Sequence, residues 1–144
     1  FGVAGYPEKH DEAMNLDTDI AHLKAKVAMG AKRIVTQMFF DNSKYFAFVD
    51  RLRSEGITIP IIPGIKPLTT LNHCTMLPRT FHIDFPQELA NEFEKCSSND
   101  DVKALGVEWG IQQVRELKEA GVPIVHFYTM NAAYSTELII KQTL

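Results

Sequence analysis

The sequence predicts an α/β fold in which parallel strands alternate with helices. Three times a charged segment with helical periodicity ends in a glycine, at Gly30, Gly56 and Gly121, and an apolar run rich in β-branched residues follows. Glycine is favoured just past a helix end because it adopts a left-handed backbone without steric cost. The apolar runs are continuous rather than alternating, which is typical of parallel strands covered on both faces.

The elements follow the order β-α-β-α-β-α-α-α-β-α. The first strand lies within residues 1–6, and the second is the apolar run at 33–40. The third and fourth strands are predicted at 59–64 and 123–129. The segments between the strands place their apolar residues at helical spacing, which predicts helices that bury one face.

Residues that favour helix starts mark where three of the helices begin. Asp41 or Ser43 can cap the second helix, and Ser97 or Ser98 can start the long helix near the carboxyl end. Pro86 stands where it would occupy the first turn of another helix, a position that proline tolerates because no hydrogen bond is lost there.

Connections of this kind predict a parallel sheet that is either open and doubly wound or part of a barrel. The three-glycine fingerprint of dinucleotide-binding folds is absent. Four βα units are half of an eight-unit barrel, whose full length is ~250 residues. Because Phe1 already lies within a strand, we interpret residues 1–144 as a single partial domain.

Composition excludes several classes of protein. With 45% hydrophobic residues and a net charge of −3, the 144-residue chain is neither disordered nor suited to a nucleic-acid partner. No apolar run approaches the ~18 residues of a membrane helix. Cys74 and Cys96 form neither a metal-ligand spacing nor a disulfide framework, and the five histidines form no metal pattern. We therefore expect a reducing, cytoplasmic setting and no bound metal.

Two groups of polar residues near the first strand could bind a ligand. Tyr6 and His10 follow that strand, at the carboxyl edge where α/β folds place their sites. Asp19, His22 and Lys26 share one face of the next helix, where Asp19 could hold a ribose hydroxyl and Lys26 a pyrophosphate. On spacing alone, an ordinary polar loop and a solvated helix face are the more common explanations of these two groups.

Further candidates follow the later strands. Gln37 ends an otherwise apolar strand, where its amide can pair with the edge of a heterocycle or with the backbone. The turn at Pro63 and Gly64 allows close approach of a flat ligand, although a plain strand-to-helix turn would look the same. His126 and Tyr128 lie on the same side of the last strand, where a lone histidine is more often part of a core.

Taken together, four segments resemble methylenetetrahydrofolate reductase, a flavin enzyme of one-carbon and methionine metabolism. They are Ala4–His10 (AGYPEKH), Ile34–Asp41 (IVTQMFFD), Ile61–Ile65 (IIPGI) and His126–Asn131 (HFYTMN). Their order and separations also match, and the resemblance covers nearly the whole chain. It corresponds to the C-terminal half of the family's catalytic (β/α)8 TIM barrel.

The resemblance implies that FAD is the cofactor and that NADH or NADPH reduces it. The reduced flavin then converts methylenetetrahydrofolate to 5-methyltetrahydrofolate. Gln37 matches the position that contacts the folate and the nicotinamide. The positions that match the FAD site are Ala4, Tyr6, His10, Ala13, Asp19, His22 and Lys26.

The chain also departs from the family's pattern. His22 and Ala25 stand where the family often has Asn and Arg, and Ala132 replaces an Arg that holds the glutamate tail of the folate. His73 aligns near a folate-contacting Gln, and Leu77 near a mobile Phe that stacks on ligands. We predict His73 and Leu77 as substrate-binding positions and expect another residue to serve the tail.

The family's catalytic Glu and an Asp near the flavin ring belong to strands outside these 144 residues. We therefore assign no catalytic residue in this chain and expect it to be inactive alone. Its expected partners are the N-terminal half of the barrel, the folate substrate and other copies in a homo-oligomer. The alternatives are a flavin-free, pterin-binding methyltransferase-like barrel and a non-catalytic ligand-binding or interaction domain.

Overall fold

The computed structural model describes residues 1–144 and contains four strands and six helices in the predicted order. The elements are β1 (Gly2–Gly5), α1 (Leu16–Ala28), β2 (Arg33–Met38), α2 (Asn42–Ser54), β3 (Ile61–Ile65), α3 (His73–Phe81), α4 (Gln87–Glu94), α5 (Asn99–Glu119), β4 (His126–Phe127) and α6 (Ala133–Thr143). The α/β class is therefore confirmed. The strands are shorter than predicted, and β4 is reduced to two residues.

The four strands form one parallel sheet in the order β1-β2-β3-β4. Ile34 at the centre of the sheet pairs with Val3 on one side and with Ile61 on the other. The register shifts by one residue between Val35 and Met38, at the carboxyl end of β2. Because the strands are parallel, all four end at the same edge of the sheet, and the register shift of β2 lies at that edge.

A large apolar cluster packs α1, α2, α5 and α6 against one face of the sheet. Its fully buried members include Ile34 of β2, Leu52 of α2 and Leu117 of α5. A second cluster, which joins α3, α4 and α5 to the end of β2, includes Met38 and Leu77. Burial of these side chains stabilises the fold by roughly 25 cal/mol for each Å² of apolar surface removed from water.

The other face of the sheet is open, so the expectation that both faces are covered is wrong for this chain. Ala4 and His126 alternate with Val3 and Phe127, which pack into the large cluster. Ala4 and His126 are exposed because no helix of this chain crosses that face. The continuous apolar strands correctly predicted a parallel sheet, but one of the two layers is absent from the chain.

The capping predictions agree with the structure in their main points. Asp41 is the N-cap of α2 and accepts a hydrogen bond from the backbone N–H of Ser43. Ser98 begins α5 in a capping box with Asp101. Pro86 lies one position earlier than predicted, at the N-cap of α4. None of the six helices is long and apolar enough to cross a membrane.

Candidate functional site

A polar cavity of about 340 Å³ lies at the carboxyl end of β1, between the β1–α1 loop and α1. Among the predicted cofactor-binding residues only Ala4 does not line it. The complete lining consists of Tyr6, His10, Glu12, Ala13, Asp19, His22 and Lys26. The structure thus brings the loop group and the helix group, which are separate in the sequence, together around one space.

Several hydrogen bonds hold the β1–α1 loop in place. The Asp19 carboxylate accepts a hydrogen bond from the backbone N–H of His10 at 3.0 Å. The rings of Tyr6 and His10 meet edge to face, with centroids 4.4 Å apart. Lys9 adopts a left-handed backbone with φ 78° and donates from Nζ to the Ala13 carbonyl at 2.7 Å. These contacts therefore order the β1–α1 loop without a ligand.

The lining offers groups of both charges to a ligand. Lys26 is exposed and forms no ion pair, so its ammonium is free for an anion. Asp19 and Glu12 supply carboxylates that can accept hydrogen bonds from hydroxyl groups. Burial, and then the charges of these two carboxylates, raise the pKa of the Tyr6 phenol, so this hydroxyl stays a neutral donor at neutral pH.

Gln37 lies half-buried at the end of β2, where its amide is only partly satisfied. Its Oε1 accepts a hydrogen bond from the backbone N–H of Met38 at 3.0 Å, as the backbone alternative predicted. Its Nε2 makes no hydrogen bond within the chain. A donor at the carboxyl edge therefore remains available to a ligand.

The predicted substrate positions on α3 lie apart from the polar cavity. His73 is buried, and its Nδ1 accepts a hydrogen bond from the backbone N–H of Thr69 at 3.1 Å. Burial, followed by the nearby Lys66 ammonium, lowers the pKa of His73 to about 4. Leu77 has no exposed surface and belongs to the second apolar cluster. This arrangement gives no support to a folate contact by either residue.

The edge opposite β1 contains the second aromatic pair. The rings of His126 and Tyr128 lie 4.6 Å apart and nearly perpendicular, as their shared side of the strand suggested. The Tyr128 hydroxyl donates to the Thr36 carbonyl at 2.8 Å, which ties the end of β4 across to β2. Tyr128 also packs against Gly64, where a Cβ would approach within 2.5 Å of its ring, so this glycine serves close packing.

The sequence patterns indicate no role for two further charged residues, of which Lys66 is buried and Glu8 is half-buried. Lys66 follows β3, is 2% exposed and donates from Nζ only to the Pro67 carbonyl, and burial lowers its pKa. Glu8 lies in the β1–α1 loop, and burial is the main reason that its pKa rises to about 7. Glu8 shares a small cavity with Gln37 and Ile83, which are distant in the sequence, so no local pattern could indicate its surroundings. No group of three or more His, Cys, Asp and Glu side chains is placed to hold a metal ion.

A parallel α/β sheet with a polar cavity at the carboxyl ends of its strands is the architecture in which α/β proteins bind small molecules. Comparison with known proteins identifies the group to which this chain belongs. The family model described as methylenetetrahydrofolate reductase matches residues 1–144. The chain belongs to the methylenetetrahydrofolate reductase family, as the resemblance of its segments indicated.

Individual relatives agree with this assignment. The chain is 38% identical over 143 residues to methylenetetrahydrofolate reductase 1 of Schizosaccharomyces pombe, covering 99% of this chain and 24% of that protein. It is 37% identical over 134 residues to 5,10-methylenetetrahydrofolate reductase of Escherichia coli, covering 92% of this chain and 45% of that protein. The chain thus spans less than half the length of these relatives.

A solved structure shares the fold. It is a protein from Clostridium thermocellum described as binding two copies of 5-methyl-5,6,7,8-tetrahydrofolic acid. The TM-score is 0.62 at 18% identity, over 96% of this chain and 51% of the other. Because the sequences have diverged so far, this likeness concerns the fold.

Proposed function

We propose that this chain supplies part of the FAD and folate sites of a methylenetetrahydrofolate reductase that takes its electrons from NADH or NADPH. One observation carries the proposal: six residues assigned to the FAD site from the sequence line a single cavity at the carboxyl edge of the sheet. They come from the loop after β1 and from α1, and such convergence at this edge is expected of a binding site. Family membership supplies the chemical context.

The residues of the cavity fit the chemical groups of FAD. The free Lys26 ammonium suits the pyrophosphate, the Asp19 and Glu12 carboxylates suit the ribose hydroxyls, and Tyr6 with His10 offers aromatic surface. When bound, FAD would accept a hydride from the nicotinamide and pass it to methylenetetrahydrofolate, giving 5-methyltetrahydrofolate. In this proposal the chain's own residues bind and orient the cofactor and perform no proton transfer to the substrate.

For the folate, we propose that Gln37 is the main contact in this chain. Its free Nε2 donor at the end of β2 can pair with an acceptor on the pterin edge. His73 and Leu77 remain secondary candidates, because the chain buries both of them. The folate described in the Clostridium thermocellum protein of the same fold supports a ligand of this class.

We further propose that the chain is the C-terminal half of a (β/α)8 barrel. The open face with Ala4 and His126, and the unpaired outer edges of β1 and β4, are the surfaces that four more βα units would cover. In this proposal the other half carries the catalytic acid, so the chain alone is inactive and tends to self-associate. A cytoplasmic location and a homo-oligomeric enzyme complete the proposal.

Reconstitution tests this function. The chain would be combined with an N-terminal half-barrel from a family member and with FAD, and NADH oxidation would be followed with a quinone acceptor. We expect a flavin absorption band and turnover only when both halves are present. FAD binding without turnover on any folate would favour a binding domain, and the absence of both would overturn the proposal.

A further inference from the structure

Two loops that lie far apart in the sequence are joined beside the proposed FAD cavity. Glu8 of the β1–α1 loop accepts a hydrogen bond at Oε1 from the backbone N–H of Asp84, which lies between α3 and α4, at 3.3 Å. In the same two loops, the Nδ1 atom of His82 lies 3.3 Å from the Asp11 carboxylate. His82 has a left-handed backbone with φ 52°. Glu8 is half-buried, whereas Asp84, Asp11 and His82 are exposed.

The second carboxyl oxygen of Glu8 has no partner. Oε2 is the one buried side-chain nitrogen or oxygen in the chain that makes no hydrogen bond. Glu8 lines a cavity of about 10 Å³, close to the volume that one water molecule needs, and Tyr6 and Gln37 line the same cavity. An ionised oxygen buried without a donor is unfavourable, whereas a carboxyl O–H can donate into such a cavity.

We propose that Glu8 is a positioning residue that acts in its neutral form, holding the Asp84 turn through Oε1 while its Oε2 hydroxyl donates into the cavity beside Gln37. Tyr6 and His10 flank Glu8 in the same loop, so this contact fixes the loop that lines the larger cavity. Loss of the proton places a charged oxygen where it has no donor, and separation of the loops then lets water reach it.

The charged groups around Glu8 favour the neutral form. Burial is the largest cause of the raised pKa, and the carboxylates of Asp84 and Asp41 raise it further. Against these act the hydrogen bond from the Asp84 backbone and the ammonium of Lys44 on α2. Lys9 and His82 also line the small cavity, but neither makes a hydrogen bond to Glu8.

The loop contact itself can be tested without FAD or folate. Its consequence for the cofactor rests on the proposed function, because a looser loop would lower FAD affinity only if Tyr6 and His10 bind FAD. A protein that keeps the proton-dependent loop contact but binds no FAD would overturn the proposed function alone. A protein that binds FAD equally at every pH and lacks the titration would overturn the inference alone.

The first measurement is a ¹³C NMR titration of the full chain, with its partner half where present, labelled at the glutamate carboxyl carbon. We expect one glutamate to titrate with a midpoint of about 7 in the wild type. It should persist in Glu94→Gln, which alters an exposed glutamate without partners, and vanish in Glu8→Gln. If every glutamate titrates below pH ~5, the inference fails, and this result does not require any Glu8 variant to fold.

The second measurement is hydrogen exchange at the Asp84 amide, corrected for the intrinsic dependence on pH. The wild type should lose about ten-fold protection between pH ~6 and ~8.5, whereas Glu8→Gln should keep it throughout, since a carboxamide preserves one acceptor and one donor. Glu8→Ala should lack this protection at both values. Equal loss of protection in Glu8→Gln and Glu8→Ala at pH ~6 would overturn the role of a neutral hydrogen-bonding side chain.

Discussion

The Asp19 carboxylate and the backbone N–H of His10 are joined by a hydrogen bond of 3.0 Å. Asp19 belongs to the first turn of α1, and His10 lies in the loop that precedes this helix. Because α1 is anchored in the large apolar cluster through Ile20 and Leu23, the bond transfers the rigidity of the helix to the loop. The same carboxylate faces the cavity, so Asp19 both shapes the site and offers it a charge.

We expect Asp19→Ala to loosen the loop and lower FAD affinity about ten-fold. The loss corresponds to one charge-assisted hydrogen bond in a partly exposed position, about 1–2 kcal/mol. Fluorescence titration with FAD measures the affinity, and hydrogen exchange at His10 measures the loop. Asp17→Ala is the matched control, because Asp17 pairs with Arg51 on the surface instead of contacting the loop. Equal effects of the two substitutions would contradict the role of Asp19.

Lys26→Ala should weaken FAD binding while leaving folding unchanged. Lys26 is exposed and unpaired, so its removal changes the free energy of unfolding by less than about 0.5 kcal/mol. An ammonium on the pyrophosphate contributes about 1–3 kcal/mol to binding, which is roughly a five- to 150-fold change in dissociation constant. Lys24→Ala on the same helix is the control, because Lys24 pairs with Glu55. Unchanged FAD affinity would return Lys26 to an ordinary solvated position.

Contacts between residues that are close in the sequence could be predicted from it, whereas contacts between distant residues could not. The hydrogen bond from Ser43 to Asp41 and the turn at Gly121 depend on a few neighbouring residues, and both follow the sequence pattern. Motif resemblance indicated six of the seven residues that line the polar cavity, although helix spacing alone could not distinguish them from a solvated face. Glu8 accepts its hydrogen bond from the backbone of Asp84, 76 positions away, and this contact has no local signal. For the same reason the complete burial of Leu77 could not be read from its helix alone.

Gln37→Ala, made in the complete enzyme, should impair folate turnover more than FAD binding. The side chain presents its free Nε2 at the end of β2 and does not line the larger cavity. Loss of one hydrogen bond to a neutral acceptor costs about 0.5–1.5 kcal/mol, so KM for the folate should rise roughly two- to ten-fold. Gln142→Ala is the control, because Gln142 is an exposed residue of α6 whose side chain forms no hydrogen bond. A parallel loss of FAD affinity would contradict the assignment of Gln37 to the folate.

Gly106→Ala should strongly destabilise the fold. A Cβ at this position of α5 would lie 2.1 Å from the Leu68 carbonyl oxygen, and backbone cannot move aside as a flexible side chain can. We expect a loss of about 3 kcal/mol or more in the free energy of unfolding by urea denaturation, despite the better helix propensity of alanine. Ala104→Gly on the exposed side of the same helix should cost only about 1 kcal/mol. Equal stability of Gly106→Ala and wild type would contradict the close packing of α5 on Leu68.

Glu8→Gln should make the protein more stable than wild type at alkaline pH, by an amount that depends on pH in a defined window. Folding raises the pKa of Glu8 from 4.5 to about 7, so the folded state binds more protons than the unfolded state between these values. The free energy of unfolding of the wild type therefore falls as pH rises through this window. Above the window, this loss of stability is constant.

The pKa shift sets an upper bound of about 3 kcal/mol on this loss of stability. Partial exposure of the Glu8 side chain reduces the expected value to about 1–2 kcal/mol. Glutamine cannot ionise, so urea denaturation should give a difference between variant and wild type that grows from pH ~4.5 to ~7 and then levels. The lowered pKa of His73 makes the free energy of unfolding rise with pH in the acidic range. Because both proteins contain His73, this contribution cancels when variant and wild type are compared. A difference that does not change with pH would mean that Glu8 ionises as readily in the folded protein as in the unfolded chain.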